Sequence, residues 1–256
     1  MNNHSKSKIH VTGKFQYLQT GSGAPVVLLH GLMGNLSNWQ HTMDHFSSSH
    51  QIFAPIFPMF DHQNTFPNIS GLSRYIAEFL TEMKVINPVV AGNSLGGHVA
   101  LMLARDNPQL LKAMVLTGSS GLYEQGFGGG YPPRANYDYI RKKTEFTFYN
   151  PDTAYHAMVD DVYRIVNDRK KMIRILGFAK SAIRDNMGSV LPDIQTPTCL
   201  IWGREDKITP PEVAREFLSG LPNAELHWIS HCGHAPMMEK PAVFNAILED
   251  FLIRLG

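Results

Sequence analysis

The chain has 256 residues, of which 43% are apolar, and its 23 basic and 22 acidic side chains give a formal net charge of +1. This length and composition suffice for a large domain with a buried core. The balanced charge gives no sign of the basic surface that nucleic acid or an anionic membrane would require, so we expect a small-molecule partner.

Short apolar or β-branched runs alternate with helical patterns along much of the chain. Strands that alternate with helices imply right-handed crossovers and a mostly parallel sheet. The last pattern places Phe244, Leu248 and Phe251 on one stripe, which is typical of a helix packed on a core. In chain order the predicted elements are strand 26–29, strand 51–56, helix 73–83, strand 89–91, helix 95–105, strand 113–116, strand 198–202, helix 211–219, strand 225–229 and helix 243–255.

The segment 119–190 interrupts this alternation. It contains no convincing strand and several helical stretches, and it carries seven of the nine tyrosines. We predict a core in two parts, residues 1–118 and 191–256, with 119–190 inserted between them as a helical lid. The glycines at 128–130 are a candidate hinge of this lid. The alternative is that 119–190 forms ordinary surface helices.

Apolar runs and cysteines bear on the cellular location. Residues 1–8 are polar and lack the apolar core of a signal peptide. No uncharged apolar run approaches the ~18 residues of a membrane span. The two cysteines, Cys199 and Cys232, do not suggest a disulfide framework. We therefore expect a cytoplasmic protein with no membrane segment.

One serine stands where a strand changes abruptly to a helix, in the stretch VVAGNSLGGHVALMLA (89–104). A sharp turn exposes the hydroxyl of Ser94 but crowds the backbone, so the residues two before and two after it must be small. Gly92 and Gly96 meet this requirement. A phosphate-binding loop is the main alternative, but the lysine of its Gly-x-x-x-x-Gly-Lys-Ser/Thr pattern is missing. The pattern therefore favours a nucleophilic serine.

Four motifs, in this order along the chain, resemble those of the α/β-hydrolase family. LLHGLMG (28–34) is similar to the turn that supplies an oxyanion-hole amide, and GNSLGG (92–97) to the nucleophile elbow. LIWGREDKITP (200–210) and SHCGHAP (230–236) resemble the stretches that carry the triad acid and the triad histidine. The resemblance extends from about residue 15 to 255. It implies an α/β-hydrolase fold, with a mostly parallel central sheet, flanking helices and a helical lid insertion.

The resemblance also implies a catalytic triad and an oxyanion hole. Ser94 would be the nucleophile and His234 the base that accepts its proton, with Asp206 orienting the imidazole. The backbone N–H groups of Leu32 and Leu95 would stabilise the oxyanion. Ser-His-Asp chemistry requires neither a metal nor a cofactor, and we expect neither.

Each assignment has a neighbouring alternative. Glu205 precedes Asp206, and His231 lies three residues before His234, so spacing alone does not separate the two histidines. Asp206 is also a candidate cap of the turn before Pro210. Four other polar residues lie near the motifs and are expected to be structural or remote from the chemistry: His30, His98, Asp61 and His62.

Two features separate this chain from many members of the family. Many relatives carry Asp-x-x-Gly-x-Gly-x-Ser where this chain reads PIFPMFDHQN (55–64), so we expect an unusual pocket wall. The asparagine before the serine resembles the carbon–carbon bond hydrolases that cleave vinylogous diketones. Those enzymes usually carry a tryptophan after the catalytic histidine, where this chain has Ala235. Arg164 in the insertion is a candidate for receiving a substrate carboxylate, and a solvated helix face is the alternative.

The sequence predicts a serine hydrolase of the carboxylesterase kind, acting on a small or medium carboxylic ester through an acyl-enzyme. The alternatives on the same triad are a carbon–carbon bond hydrolase, a thioesterase, a lactonase and an acyltransferase. A hydrolase-fold ligand receptor is the alternative from another class. Haloalkane dehalogenases and epoxide hydrolases are disfavoured because their nucleophile is an aspartate. The sequence makes no prediction of the oligomeric state.

Overall fold

The computed structural model describes residues 9–61, 67–124 and 136–256. In these residues eight strands form one sheet: β1 (Ile9–Thr12), β2 (Phe15–Thr20), β3 (Ala24–Leu29), β4 (His50–Pro55), β5 (Val89–Asn93), β6 (Ala113–Thr117), β7 (Thr198–Gly203) and β8 (Ala224–Ile229). Their spatial order is β1-β2-β4-β3-β5-β6-β7-β8. The pairings of β2 with β1 and β4 are antiparallel, and all the other pairings are parallel.

Helices cover both faces of this sheet. In chain order the described helices are α1 (Gln40–Phe46), α2 (Ile69–Glu82), α3 (Leu95–Asp106), α4 (Tyr137–Glu145), α5 (His156–Asn167), α6 (Arg169–Arg184), α7 (Pro211–Gly220), α8 (Pro236–Glu239) and α9 (Pro241–Leu255). The apolar side chains of α2, α3 and α7 pack on one face, and those of α1 and α9 pack on the other. The predicted mostly parallel α/β sheet is thereby confirmed.

The central strand β5 shows why the parallel strands read as continuous apolar runs. All five of its residues are buried. Val90 faces the core under α2 and α3, whereas Val89 and Ala91 face the core under α1 and α9. Successive side chains of a strand point to opposite faces, so a strand covered on both sides must be apolar throughout.

The first two strands were not among the predicted elements. β1 is exposed along its whole length, so its sequence lacks an alternation of buried and exposed residues. It is joined to β2 by a tight turn in which Gly13 has φ +55°, a conformation that favours glycine. Together β1 and β2 form the antiparallel side of the sheet. Pairing alone defines β1, whereas β2 also buries Phe15, Tyr17 and Leu18.

The helix predicted at 73–83 begins four residues earlier, at Ile69. The side chain of Asn68 accepts a hydrogen bond from the N–H of Gly71 at 2.6 Å and so caps the first turn. Helix α2 then buries Leu72, Ile76 and Phe79 at helical spacing against the sheet. The asparagine cap was the sequence signal for the true start.

The chain between β6 and β7 contains helices α4 to α6 and, in its described residues, no strand. Helix α6 packs against the start of α2, since the N–H of Ile69 donates to Ser181 Oγ at 3.0 Å. A Cβ on Gly177 would lie 2.2 Å from Pro67 Cγ, which shows how closely the two segments approach. The lid role and the limits 119 and 190 stay predictions, and the candidate hinge at 128–130 lies outside the described residues.

None of the helices in the described ranges is both long enough and apolar enough to cross a lipid bilayer.

Candidate active site

Ser94 occupies a strained turn between β5 and α3. Its backbone has φ 55° and ψ −119°, a region that residues with a side chain rarely adopt. The turn is fixed from both sides, because the Ser94 N–H donates to Thr117 O and the Ser94 carbonyl accepts from Ser120 N, each at 3.1 Å. The side chain is only half-buried. The backbone therefore presents the hydroxyl at the carboxyl edge of the sheet.

The glycines around Ser94 leave no space for a side chain. A Cβ on Gly92 would lie 2.3 Å from the carbonyl oxygen of Gly96. A Cβ on Gly96 would lie 2.3 Å from the carbonyl oxygen of Leu29, and one on Gly97 2.3 Å from Ser119 Oγ. Real Cβ contacts are never this short, so the small residues that the sequence pattern required are sterically necessary here.

Asp206 and His234 form a buried pair at the ends of β7 and β8. His234 Nδ1 lies 2.9 Å from Asp206 Oδ2, and the two residues are 6% and 3% exposed. The carboxylate is itself fixed, because the N–H groups of Ile208 and Thr209 donate to Oδ1 at 2.8 and 3.0 Å. Thr209 Oγ1 donates to Oδ2 at 2.8 Å. With Nδ1–H donating to the carboxylate, Nε2 is left as the proton acceptor.

The neighbouring alternatives to this pair have other partners. Glu205 Oε2 accepts a hydrogen bond from the N–H of Cys232 at 2.9 Å. His231 is exposed and its ring packs against that of Tyr149 at 5.3 Å. The geometry therefore joins Asp206 with His234, a distinction that spacing in the sequence did not make.

The segment 117–120 after β6 contacts both the serine turn and the histidine. Asn93 Nδ2 donates to the carbonyl oxygens of Thr117 and His234, each at 3.0 Å. Gly118 has φ +50°, and a Cβ there would lie 2.8 Å from His234 Nδ1. The residue before Ser94 is thus hydrogen-bonded directly to His234, so the structure brings the predicted nucleophile and base to one place.

The environment of His234 raises the pKa of its imidazole. Burial alone would lower this pKa. The attraction of Asp206 and its hydrogen bond outweigh the burial, and the carboxylates of Glu124 and Glu239 act in the same direction. The net result is a pKa above the ordinary value of 6.5. A stronger base results, and it is neutral only at a correspondingly higher pH.

The two predicted oxyanion donors flank Ser94. Leu95 is the first residue of α3, and an N–H in the first turn of a helix has no acceptor within that helix. Leu32 follows Gly31, on which a Cβ would lie 3.3 Å from Ser94 Cβ. Gly31 thus lies directly against Ser94, and the N-terminal end of α3 favours a developing negative charge. The oxyanion role of the two amides stays a prediction.

His30 fixes the turn that contains Gly31. Its Nδ1 donates to the carbonyl oxygen of Gly31 at 2.8 Å, and its Nε2 accepts from the N–H of Phe57 at 3.3 Å. Burial lowers the pKa of His30, which favours the neutral ring. Both nitrogens are engaged, so the structural role predicted for this histidine agrees with its contacts.

A cleft of about 510 Å³ opens beside this turn. Its walls are the turn after β3, the segment that follows β4 and the helices α5 and α6. Leu32 and Phe57 contribute apolar surface, while the helical side adds Lys171 and the ion pair of Arg164 with Asp161. The segment that departs from the family pattern therefore forms part of the wall, as far as Phe60.

The other residues singled out in the sequence lie away from this chemistry or outside the described chain. His98 is buried, its Nε2 lies 2.9 Å from the carbonyl oxygen of Asp185, and burial lowers its pKa to about 4. Asp61 is exposed, and His62 lies outside the described residues. Cys199 and Cys232 are free and buried.

One group of side chains in the described residues has the composition of a metal site. The ligand atoms of Cys199, Glu225 and His227 lie within 4.8 Å of one another, on β7 and β8. Glu225, however, is already bound by His227 at 3.0 Å and by the guanidinium of Arg254. An ion would have to displace that guanidinium, so we interpret the group as an ion-pair network at the sheet edge.

The fold and the serine turn define a class of protein, the α/β hydrolases. A sequence profile of the alpha/beta hydrolase family matches residues 26–247, and the chain belongs to that family. It is a hydrolase with the expected sheet and elbow.

Among solved structures, an alpha/beta hydrolase enzyme from the metagenome of sediments of the Mar Chica lagoon, Morocco, is 39% identical. The match covers 96% of this chain and 98% of that one, with a TM-score of 0.80. Among curated relatives, the 2-hydroxy-6-oxononadienedioate/2-hydroxy-6-oxononatrienedioate hydrolase of Cupriavidus pinatubonensis is 27% identical over 91% of this chain and 88% of its own length. The 2-hydroxy-6-oxo-6-(2'-aminophenyl)hexa-2,4-dienoic acid hydrolase of Metapseudomonas resinovorans is also 27% identical, over 93% and 87%.

Several supporting residues were missed by the sequence reasoning. Thr209 anchors the Asp206 carboxylate, Asn93 anchors the His234 carbonyl, and Glu239 binds the loop that carries His234. Only Thr209 had a usable signal, since an aspartate side chain commonly accepts a hydrogen bond from a backbone N–H two or three residues later in the chain. The contacts of Asn93 and Glu239 span the fold and have no local pattern.

Proposed function

We propose that the protein is a serine hydrolase that cleaves a small or medium carboxylic ester through Ser94, His234 and Asp206. The observation that carries this proposal is the strained backbone of Ser94 next to a buried His234–Asp206 pair with an N–O distance of 2.9 Å. A hydroxyl is activated as a nucleophile when a base of near-neutral pKa accepts its proton.

In the proposed mechanism, Ser94 Oγ attacks the ester carbonyl while His234 Nε2 accepts its proton. The N–H groups of Leu32 and Leu95 stabilise the negative charge on the tetrahedral oxygen. His234 then gives the proton to the leaving alkoxide, and the acyl group remains on Ser94. Water, deprotonated by the same histidine, releases the acid and restores the serine. Asp206 stabilises the imidazolium in both steps.

Labelling with a fluorophosphonate tests whether Ser94 is an activated nucleophile. We expect wild type to gain the mass of one adduct, and Ser94→Ala to gain none. Ser219→Ala, which removes an exposed hydroxyl on α7, is the matched control and should be labelled like wild type. Folded wild type that gains no adduct would contradict the proposal and favour the ligand-receptor alternative.

Carbon–carbon bond hydrolysis is the second candidate function. Two curated relatives are named as hydrolases of dienoic or dienedioic acids, which carry carboxylates. The cleft beside the oxyanion turn contains Lys171 and the ion pair of Arg164 with Asp161, at 2.5 Å, so Lys171 is the cation that would favour an acidic substrate. Ala235 at the position after His234 is the feature that favours the ester instead.

Substitution of the two cleft cations tests whether the cleft selects an acidic substrate, as the second candidate requires. If the substrate is acidic, Lys171→Ala should raise KM for it by about tenfold, because a hydrogen bond to a charged group is lost. Arg164→Gln should have a smaller effect, because Arg164 is paired with Asp161 in the same wall. Turnover of a neutral p-nitrophenyl ester should change less than twofold. Lys180→Ala, an exposed cation on the same helix as Lys171, controls for net charge. Equal effects on acidic and neutral substrates would rule out a charge-selective cleft.

The proposed lid is the helical segment α4 to α6. Its support is its position, since α5 and α6 line the cleft opposite the oxyanion turn. Such a cover would exclude water from the acyl-enzyme and shape the pocket.

A further inference from the structure

The chain just after α4 lies against both loops that carry the triad. The N–H of His234 donates to Thr147 O at 2.9 Å. Lys207, which follows Asp206, places its Nζ 5.1 Å from the centre of the Phe146 ring. We refer to residues 146–150 as the junction segment, because it connects the inserted helices to the predicted catalytic loops.

Glu239 ties this junction segment to the histidine loop. Its Oε2 accepts hydrogen bonds from the N–H groups of Tyr149 and Asn150 at 2.9 and 3.1 Å. Its Oε1 accepts from the N–H of Gly233, the residue before His234, at 2.7 Å. A half-buried carboxylate that accepts three backbone N–H groups forms a strong connection, since bonds to an ionised acceptor are shorter and stronger than neutral ones.

Gly233, which precedes His234 in this loop, is also in close contact with the junction segment. A Cβ on Gly233 would lie 2.7 Å from Thr147 O and 2.8 Å from the nitrogen of Tyr149. The two backbones are therefore in direct contact, and the position of Gly233 follows that of the junction segment. Because His234 is the next residue, a displacement of this contact would displace the imidazole.

We propose that Glu239 is a positioning residue, which sets the place of His234 by joining its loop to the junction segment of the inserted helices. The inference rests on the proposed function, in which His234 is the base. It goes beyond that function because it makes the inserted helices part of the mechanism. Their position would then control turnover as well as access to the cleft.

The charge of Glu239 gives the proposal a second readout. Its carboxylate contributes to the raised pKa of His234, together with Asp206 and Glu124. Burial raises the pKa of Glu239 itself, while the three N–H groups and Lys240 act in the opposite direction. Removing this charge would therefore lower the pKa of His234. This shift reports that the two side chains are close, whereas a residue that only stabilises α8 would lower kcat no further than the loss of folded protein explains.

The test compares Glu239→Gln and Glu239→Asp with Glu249→Gln, an exposed glutamate on α9 that serves as the control. In Glu239→Gln an amide NH₂ replaces one oxygen and faces backbone N–H donors. We expect kcat for a p-nitrophenyl ester to fall roughly 10-fold to 100-fold with KM within twofold, since small misplacements of a catalytic group are costly. The acid limb of kcat/KM should move to lower pH. Glu239→Asp keeps the charge but shortens the reach, so kcat should fall without that movement.

Hydrogen exchange makes the result independent of turnover. The amides of Tyr149, Asn150 and Gly233 should exchange faster in Glu239→Gln, and should be unchanged in Glu249→Gln. If wild type neither reacts with fluorophosphonate nor hydrolyses esters, the proposed function fails, yet this exchange still shows whether the connection exists. Unchanged exchange of these amides would overturn the inference. So would a fall in kcat no larger than the loss of folded protein, with the acid limb of kcat/KM at the same pH as in wild type.

Discussion

Replacing Asp206 with asparagine is expected to lower kcat/KM by about 10⁴-fold. The carboxylate receives the Nδ1–H of His234 at 2.9 Å and so leaves Nε2 free to accept the serine proton. An asparagine amide turned towards Nδ1 would instead donate to it, which selects the tautomer with a proton on Nε2. The base would then be unable to act, although the shape of the site is kept.

Steady-state kinetics with an activated ester measure this effect, and circular dichroism shows whether the variant is folded. Asp193→Asn, an exposed aspartate before β7, is the control and should behave like wild type. A folded Asp206→Asn variant within tenfold of wild type would contradict the role of Asp206. A comparable loss in Glu205→Gln alone would move that role to the neighbouring residue.

The same pair determines the pH dependence. Because the pKa of His234 lies above 6.5, activity should rise with pH through that raised value. Asp206→Asn removes the main attraction, so its residual activity should have an acid limb at lower pH. The sign for stability is opposite: protonated His234 stabilises the folded state fully below its unfolded-state pKa, and this contribution is lost as pH rises through the folded-state pKa.

Replacing Gly96 with alanine is expected to destabilise the fold by about 3 kcal/mol. The added Cβ would lie 2.3 Å from the carbonyl oxygen of Leu29 and 2.8 Å from that of His30. Both atoms belong to backbone, at the end of β3 and the start of the oxyanion turn, so neither can rotate away. Relief requires that α3 move from the sheet, which would also displace Ser94.

Denaturant unfolding of Gly96→Ala measures this cost, with Gly71→Ala as the control. Gly71 is an exposed helical glycine, and its added Cβ would lie 3.1 Å from Asn68 Oδ1, the oxygen that caps α2; this side chain can move by the few tenths of an ångström required. Alanine generally stabilises a helix relative to glycine by up to about 1 kcal/mol, so the control should be close to neutral or better. A Gly96→Ala variant with wild-type stability would show that the turn at Ser94 accommodates a Cβ, contrary to the structure.

Much of the fold could be predicted because the strands that organise it are buried on both faces. Such strands appear as short apolar runs whatever their neighbours are, and β5 is the plainest case. β1 could not be found this way, since an exposed edge strand is defined by its hydrogen-bonded partner. β2 was missed although Phe15, Tyr17 and Leu18 are buried in it. The early start of α2 depended on one capping side chain, Asn68, which periodicity does not detect.

The core of the candidate site was accessible from sequence because a strained turn demands glycines at fixed spacing. The residues that surround this core could not be predicted from the sequence. The choice of His234 over His231 depends on which one reaches Asp206 in space. The cleft exists because α5 and α6 pack over the segment after β4, more than a hundred residues away in the chain. Contacts of this range leave no periodic trace in the sequence.

The backbone of Ser94 has a consequence for heat resistance. A non-glycine residue with φ 55° and ψ −119° carries strain on the order of 1–3 kcal/mol. Glycine adopts such angles freely, so thermal stability and chemistry favour different residues at this position. Laboratory evolution that rewarded survival at high temperature alone would tend to replace the serine with glycine. The product would be a more durable protein with no nucleophile, and only a simultaneous screen for activity would prevent that outcome.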